Sequence, residues 1–223
     1  TNAKVQFEET NENIINYFNT NKKMITILPG FISKSETGEI TTLGRGGSDY
    51  TAAIIAAALN AESLEIWTDV SGMYTTNPKL VKQARPIAEL SYLEAIELSH
   101  FGAKVLYPPT VVPVLTKNIP IKIKNTLAPE DPGTSITNKV KNGQNTPIKG
   151  ISNVNDITLL TLQGNGMVGI PGFSKRLFET LANEKINIII TTQASSEHSI
   201  CVGVTDRDAV SYTHLRAHET RHY

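Results

Sequence analysis

The residues best suited to chemistry form one short segment, Thr42–Asp49, in which glycines alternate with an arginine, a serine and a carboxylate. Tyr50–Leu59 follows and is almost entirely apolar, which predicts a helix that is buried all round and that Ser48 caps. Backbone N–H groups at a helix start attract anions, and the planar guanidinium of Arg45 can hold a carboxylate or phosphate with two hydrogen bonds. The segment therefore indicates an anion-binding loop; the alternative is a glycine turn that only begins a helix.

The elements around this segment follow the pattern of an α/β fold. Short apolar strands alternate with helices, which favours a mostly parallel sheet with helices on its faces. The predicted strands are Met24–Leu28, Ser63–Trp67 and Ile119–Lys124, and helices are predicted to begin near Ser48, at the capping box Ser91–Glu94 and at Pro108. Ligands bind beyond the carboxyl ends of strands in such sheets. Gly44–Ser48 and Thr68–Asp69 are therefore candidate site segments.

The second part of the chain has a different pattern. A polar stretch, Thr137–Thr146, is predicted to be a linker. A strand, a helix and two strands follow, at Ile157–Gln163, Gly172–Glu184, Ile186–Gln193 and Ser199–Val204. The last two strands are separated by five residues, which is too short for a parallel crossover and predicts a hairpin. The order β-α-β-β begins a ferredoxin-like α+β unit.

Gly164–Gly169 matches the glycine fingerprint of dinucleotide-binding folds. That fingerprint requires a second parallel strand that ends in an acidic residue. The next strand here ends in Gln193 and is predicted to turn back as a hairpin. Dinucleotide binding is therefore not expected.

Composition excludes several classes of partner. The 223 residues carry 21 lysines and arginines against 21 aspartates and glutamates, a balance that gives no electrostatic footprint for nucleic acid or an anionic membrane. The longest apolar run, Ala52–Leu59, is far shorter than the ~20 residues that span a bilayer. Cys201 is the only cysteine and is expected in the core of a strand, so no intrachain disulfide forms. No secretory signal is visible, and a cytoplasmic location is expected.

Three segments, in order along the chain, carry a family resemblance: Thr42–Asp49, Trp67–Lys79 and Phe101–Pro108. They resemble the substrate loop, the nucleotide segment and the phosphate-binding segment of aspartate kinases, members of the amino-acid kinase superfamily. The resemblance implies a three-layer α/β/α catalytic domain, of which residues 1–136 are the C-terminal part. It also implies transfer of the γ-phosphoryl group of ATP, with Mg²⁺, to the side-chain carboxylate of L-aspartate.

The resemblance assigns site residues by their position in the motifs. The implied aspartate site comprises Arg45, Gly46, Gly47, Ser48 and Asp49, and the implied nucleotide site comprises Thr68, Asp69, Tyr74, Lys79, Lys104 and Val105. Lys104 and Arg45 are the expected catalytic residues, because fixed cations neutralise charge on the transferring phosphoryl group. Asp69 can orient the nucleotide or Mg²⁺, and no resident metal site is expected.

Two features depart from the family pattern. Asn77 and Lys79 stand where the family usually has aspartate and arginine, and lysine keeps the charge but loses the two-pronged geometry. Thr1–Thr10 lacks the Lys-Phe-Gly-Gly-type strand and turn with which the family opens, and no Walker A motif replaces it. The chain is therefore interpreted as a fragment that is inactive alone, because part of the phosphate site is missing.

Residues 148–208 resemble an incomplete ACT domain, a module that binds a regulatory amino acid. The resemblance implies an effector site formed by Gly166, Met167, Val168, Gly169 and Gln193. Thr192–Ile200 is most similar to the threonine-responsive aspartate kinases that are fused to a homoserine dehydrogenase. Threonine is therefore the expected effector, and a homo-oligomer formed through ACT domains is the expected assembly.

Residues 209–223 fit neither pattern and are interpreted as a non-native tail. His214, His218 and His222 are spaced four apart in it, but no metal site is expected there.

Two other functions are weighed against a regulated aspartate kinase. Another amino-acid kinase would lack the ACT segment. A non-catalytic ACT regulatory subunit would lack the motifs at Gly44–Asp49 and Phe101–Pro108. The chain carries both kinds of segment, which favours the regulated aspartate kinase.

Overall fold

The computed structural model describes residues 4–100, 105–138, 148–163, 172–193, 199–206 and 208–209. These residues form two compact units that divide between Asn153 and Val154, a few residues after the expected start of the second unit at residue 148. The stretch before the division is tied to the first unit. The Ile151 N–H donates to the Thr75 carbonyl over 2.7 Å, and Lys149 Nζ lies 2.8 Å from Glu94 Oε1. No helix in the described residues is long and apolar enough to cross a lipid bilayer.

The first unit alternates strands and helices, as predicted. Its elements are α1 (Phe7–Thr20), β1 (Ile32–Lys34), β2 (Ile40–Thr42), α2 (Gly47–Ala58), β3 (Leu64–Thr68), β4 (Glu89–Ser91), α3 (Tyr92–His100), α4 (Pro108–Thr116), β5 (Ile121–Asn125) and β6 (Thr134–Thr137). Strands β1 and β2 form a separate antiparallel hairpin. The other four strands form one sheet in the order β3-β5-β6-β4.

The four-stranded sheet is mixed and mostly parallel, which confirms the predicted fold class. Strand β3 runs parallel to β5, with Leu64 opposite Ile121, and β4 runs parallel to β6. Only the central pair, β5 and β6, is antiparallel. Because β3 and β5 are parallel neighbours, their carboxyl ends lie at the same edge of the sheet, which is where ligands bind in such folds.

One predicted strand is wrong. Met24–Leu28 lies outside every strand of the described structure, and Met24, Ile25 and Ile27 are 100%, 78% and 91% exposed. The apolar residues of this segment predicted a strand, but a strand also needs a hydrogen-bonding partner, and none of the described strands pairs with it.

Two helices of the first unit, α3 and α4, begin where local chemistry predicts. The Ser91 N–H donates to Glu94 Oε2 over 2.8 Å, and the Glu94 N–H donates to Ser91 Oγ over 3.2 Å, which is the predicted capping box. Helix α4 begins at Pro108, as expected for a proline in the first helical turn. Helices α2, α3 and α4 contribute Ala53, Ala56, Ala95, Val111 and Val114 to one buried cluster with Leu64, Ile66, Ile121 and Ile123 of the sheet.

Gly133 gives the first testable prediction, on stability. Its φ is +69°, and a Cβ placed there would overlap the Ile123 carbonyl oxygen and lie 3.0 Å from the carbonyl carbon. Gly133→Ala is therefore expected to lower the free energy of unfolding by about 2–5 kcal/mol, from backbone strain and overpacking. Chemical denaturation followed by circular dichroism measures the change.

Gly38→Ala is the matched control for this prediction. Gly38 also has a positive φ, +87°, but its nearest neighbour is Lys34 Cε at 3.5 Å. The control is expected to cost only the backbone penalty of about 1–2 kcal/mol. Equal decreases in the free energy of unfolding of the two variants would show that the contact with Ile123 does not contribute to the effect.

The second unit has the predicted β-α-β-β order: β7 (Ile157–Gln163), α5 (Phe173–Asn183), β8 (Ile188–Gln193) and β9 (Ser199–Thr205). Strand β9 lies between β7 and β8 and is antiparallel to both. The hairpin prediction is confirmed, and so is the ferredoxin-like arrangement, in which two parallel strands flank an antiparallel one. Gly164–Gly169 lies outside the described residues.

One face of α5 forms the core of this unit. Its apolar residues at helical spacing, Phe173, Leu177, Phe178 and Leu181, pack against buried Ile200, Val202 and Val204 of β9. Cys201, expected in the core, lies on the other face of β9 and is half-buried, because neighbouring residues of a strand face opposite sides. Ala209 packs on the core; residues 210–223 of the expected tail lie outside the described residues.

Candidate functional site

The glycine loop leads directly into α2, but Ser48 does not cap the helix. Gly46 is the N-cap residue, with a left-handed backbone (φ 70°, ψ 12°), and no side chain accepts from the first-turn N–H groups. Glycine adopts this conformation without strain. The helix therefore begins at Gly47, and Ser48 is an exposed first-turn residue. Ser48 is thus wrongly predicted as the cap, and its hydroxyl makes no hydrogen bond to a described residue.

Helix α2 is not buried on every side, contrary to the prediction from its apolar composition. Gly47, Ala53, Ile54 and Ala56 are buried, whereas Ala52 is exposed. Small alanine side chains make the sequence apolar without requiring full burial. At the start of the helix Gly47 is buried, whereas Arg45 and Ser48 on either side of the cap are exposed.

A loop that sequence reasoning missed holds the glycine segment in place. The Leu43 N–H donates to the Phe31 carbonyl over 2.9 Å. The Phe31 N–H donates to Thr51 Oγ1 over 3.1 Å, and that hydroxyl donates to the Gly47 carbonyl over 2.7 Å. Phe31 has a φ of +73°, a strained backbone for a bulky residue that surrounding contacts must maintain. Pro29-Gly30, just before Phe31, is a dipeptide typical of turns, but the sequence does not show which segment the turn contacts.

The loop and the first turn of α2 carry two charged residues, Arg45 and Asp49, that differ in exposure. Arg45 is exposed, and its guanidinium forms no ion pair or hydrogen bond with any residue that the structure describes, so it is available to an anion. Asp49 is half-buried one turn further on, and burial raises the pKa of its carboxyl above the ordinary value. A guanidinium without a described partner beside a helix N-terminus suits a carboxylate ligand.

A second polar cluster lies at the carboxyl edge of β3 and β5. The Thr68 hydroxyl donates to Asp69 Oδ1 over 3.2 Å, and the Thr126 N–H donates to the Thr68 carbonyl over 2.8 Å. Asp69 is exposed. Lys124 Nζ lies 4.8 Å from the centroid of the Trp67 ring, which keeps a cation at this edge. Thr68 and Asp69 are thus placed where the predicted sheet required them.

A hydrogen-bond network below this edge was not predicted. The Asn125 side-chain amide donates to Ser71 Oγ over 2.9 Å, and the Ser71 hydroxyl donates to Asp131 Oδ2. Thr134 Oγ1 accepts from the Met73 N–H over 2.8 Å and donates to the Ile87 carbonyl over 2.6 Å. These bonds fix the turn that leads from Asp69 to Tyr74. Residues separated by some sixty positions meet here, so no local sequence pattern reveals the network.

The remaining residues of the predicted nucleotide site are more dispersed. Tyr74 pairs with Pro86 in an isolated antiparallel bridge and is half-buried, as is Val105. Lys79 is exposed in a turn whose backbone bonds to Asn77 Oδ1 over 3.0 Å. Its ammonium group has no partner among the described side chains. Lys104 lies outside the described residues.

The predicted effector site is described only at Gln193. This residue ends β8, pairs with Ile200 of β9 and is exposed, so its amide can reach a ligand. Gly166, Met167, Val168 and Gly169 lie outside the described residues. No group of three or more metal-binding side chains occurs in the part of the chain that the structure describes.

Comparison with known proteins follows the division into two units. A model of the amino acid kinase family matches residues 2–125, and a model of the ACT domain matches residues 160–211. A bifunctional aspartokinase/homoserine dehydrogenase of Haemophilus influenzae is 44% identical over 204 residues, which are 91% of this chain and 25% of that protein. The lysine-sensitive aspartokinase 3 of Escherichia coli is 38% identical over 192 residues, 86% of this chain and 42% of that protein.

A solved structure shares the fold. The crystal structure of Escherichia coli aspartokinase III in complex with aspartate and ADP superimposes with a TM-score of 0.76 at 35% identity, over 92% of this chain and 45% of that one. The chain thus spans about a quarter of the bifunctional relative's length and less than half of the monofunctional one.

Proposed function

The chain belongs to the amino acid kinase family, and from that premise we propose that it is part of an aspartate kinase. The enzyme transfers the γ-phosphoryl group of ATP to the side-chain carboxylate of L-aspartate and gives 4-phospho-L-aspartate and ADP. One observation carries the proposal. Arg45 is exposed just before the N-terminus of α2 and has no ion pair or hydrogen bond with a described residue, in a chain similar to an aspartokinase whose structure holds aspartate and ADP.

In the proposed aspartate site, the glycine loop binds a carboxylate of the substrate. The guanidinium of Arg45 donates two parallel hydrogen bonds to it, and the backbone N–H of Ser48 in the first turn has no intrahelical partner and can donate to it as well. The Gly47 N–H already donates to the Gly44 carbonyl over 3.1 Å, which closes the loop. Gly46 keeps the loop in its left-handed turn. Asp49 is acidic and half-buried, so it can accept hydrogen bonds from the ammonium group of the substrate.

The proposed nucleotide site binds ATP through the residues that the motifs assign to it: Thr68, Asp69, Tyr74, Lys79, Lys104 and Val105. Mg²⁺ prefers one or two carboxylates together with phosphate oxygens and water. The exposed Asp69 has that chemistry and would share the ion with the phosphates of the nucleotide.

The proposed reaction needs no base, because the attacking carboxylate is already ionised. A carboxylate oxygen of aspartate forms a bond to the γ-phosphorus while the bond from that phosphorus to the bridging oxygen of ADP breaks. Two anions must approach each other, so the protein acts by positioning and by neutralising charge. In this proposal Arg45 holds the acceptor and Lys104 stabilises the transferring group.

The complete reading frame that contains this chain, here called the extended protein, tests the proposal. Purified extended protein is assayed for ADP release with MgATP and L-aspartate, and L-glutamate replaces aspartate in the control. Aspartate-dependent release supports the proposal. Release that requires glutamate, or none with either amino acid, contradicts it.

The ACT unit is proposed to regulate this kinase as part of a homo-oligomer. An effector amino acid that binds one state of the protein more tightly shifts the equilibrium between active and inhibited enzyme. Gln193 is exposed at the end of β8, and its amide both donates and accepts hydrogen bonds. The effector is proposed to be L-threonine, because Thr192–Ile200 is similar to the threonine-responsive enzymes.

Gln193→Ala is expected to weaken threonine inhibition of the extended protein. Loss of one hydrogen-bond partner costs about 1–3 kcal/mol, which raises the inhibitory concentration about 5- to 150-fold. Inhibition curves for threonine and lysine on wild type and variant measure this. Thr192→Ala, at the neighbouring exposed position, is the matched control. Inhibition by lysine alone, with threonine inert, would contradict the effector assignment.

A further inference from the structure

Tyr107 contacts the proposed aspartate loop at its tightest point. Gly46 has no side chain, and a Cβ placed on it would overlap Cβ and Cγ of Tyr107 and lie 2.8 Å from Cδ1. The Cβ of Tyr107 is attached to the backbone and cannot swing away. The loop therefore rests directly on this tyrosine, and both the left-handed turn and the close contact require glycine at position 46.

A second contact joins Tyr107 to the first turn of the same helix. The rings of Tyr107 and Tyr50 meet edge to face, with centroids 6.5 Å apart and an interplanar angle of 80°. Burial, and then the neighbouring Tyr107, raise the pKa of Tyr50 above its ordinary value. Gly46 and Tyr50 are four residues apart and so lie on one face of the helix start. Tyr107 therefore contacts this face both at the cap and one turn along.

Tyr107 is itself held by its place in the chain. It is the N-cap of α4, with an extended backbone (φ −79°, ψ 117°), and Pro108 begins the helix behind it. Proline restricts both its own φ and the residue before it. Leu106, the preceding residue, is 2% exposed. A buried neighbour on one side and a proline on the other restrict the backbone of Tyr107 and so the position of its Cβ.

We infer that Tyr107 is a positioning residue that sets the backbone of Gly44–Ser48 for the acceptor substrate. This inference rests on the proposed function. Tyr107 belongs to the segment proposed to bind the phosphates, and Gly46 belongs to the loop proposed to bind aspartate. One side chain thus joins the two segments between which the phosphoryl group passes, and it acts on the substrate through the loop.

Steady-state kinetics of the extended protein test the inference. Tyr107→Ala removes the support and is expected to raise KM for aspartate about 10- to 100-fold, because small displacements of positioning groups have effects of this size. KM for ATP is expected to stay unchanged. Tyr107→Phe keeps the ring and is expected to restore the wild-type KM for aspartate. Tyr50→Ala, which removes only the edge-to-face partner, is expected to have a smaller effect.

A double-mutant cycle separates contact from general damage. Gly46→Ala alone creates the overlap with Tyr107, and removal of the ring in Gly46→Ala/Tyr107→Ala relieves part of it. The two changes are therefore expected to be less than additive in their effect on KM for aspartate. Hydrogen exchange of the Gly46–Tyr50 amides in the chain itself provides a readout without catalysis, and Tyr107→Ala is expected to accelerate exchange there while Tyr107→Phe does not.

Several results would overturn the inference. An active wild type with an unchanged KM for aspartate in Tyr107→Ala would remove the positioning role, and so would strict additivity in the cycle. Equal rises in both KM values would show a general structural defect. A wild type with no aspartate-dependent turnover would instead refute the proposed function, and unchanged amide exchange in Tyr107→Ala would then refute the support of the loop separately.

Discussion

Replacing Lys104 with alanine is expected to lower kcat of the extended protein about 10²–10³-fold, the usual effect of removing one group that stabilises transition-state charge. The physical reason is that the transferring phosphoryl group carries its charge on oxygens that a fixed cation neutralises. KM for aspartate is expected to change little, because the proposed binding site of the acceptor is the loop at Arg45. Steady-state rates of ADP release at saturating substrates measure the effect.

Lys117→Ala is the matched control for this variant. Lys117 is an exposed lysine just after α4, so its removal changes the net charge equally without touching either proposed site. Its kcat is expected to equal that of the wild type. A Lys104→Ala enzyme with wild-type kcat would show that this lysine does not neutralise the phosphoryl group.

Replacing Arg45 with alanine is expected to act on the acceptor substrate. Hydrogen bonds to charged groups contribute about 1.5–3 kcal/mol, so the loss raises KM for aspartate about 10- to 150-fold. Arg45 is exposed and makes no ion pair or hydrogen bond with a described residue, so the fold is expected to be unaffected. Full aspartate titrations at fixed MgATP, with thermal melts as the folding check, measure both.

Arg45→Lys refines the same test. Lysine keeps the charge but not the planar fork that matches a carboxylate, so its KM for aspartate is expected to fall between those of wild type and Arg45→Ala. KM for ATP is expected to be unchanged in both variants. A rise in KM for ATP instead of aspartate would place Arg45 in the nucleotide site.

Sequence reasoning succeeded where one local pattern decides the structure. The capping box at Ser91 and Glu94 and the proline start of α4 depend on residues within a few positions of each other. Local backbone and packing preferences are strong there. The α/β class and the βαββ order followed from these elements.

It failed where structure depends on distant partners. Strands β4 and β6 each contain a single aliphatic residue, Leu90 and Ile136, and exist because they pair with each other, while β6 also pairs with β5. Met24–Leu28 shows the opposite case. Its residues favour a strand, but no described strand pairs with it. Strand formation is set by pairing more than by propensity.

The candidate site divides in the same way. The motifs identified Arg45, Gly46, Thr68 and Asp69 as candidates because glycine, charge and strand ends are visible locally. The sequence did not reveal the contacts that hold the site together, because each of them joins separate segments. These contacts involve Phe31, Tyr107 and the network of Ser71, Asn125, Asp131 and Thr134. A glycine in a loop hints at a close neighbour, but the sequence does not say which residue approaches it.

The most direct test of the central claim is chemical identification of the product. An acyl phosphate reacts with hydroxylamine and gives a hydroxamate. A phosphate ester or a phosphorylated nucleotide does not react in this way. The extended protein is incubated with MgATP, L-aspartate and hydroxylamine, beside the isolated 223-residue chain. If the extended protein is an aspartate kinase, it is expected to form aspartate hydroxamate in step with ADP. The chain alone is expected to form none. ADP release without hydroxamate from the extended protein would contradict the proposed aspartate kinase activity.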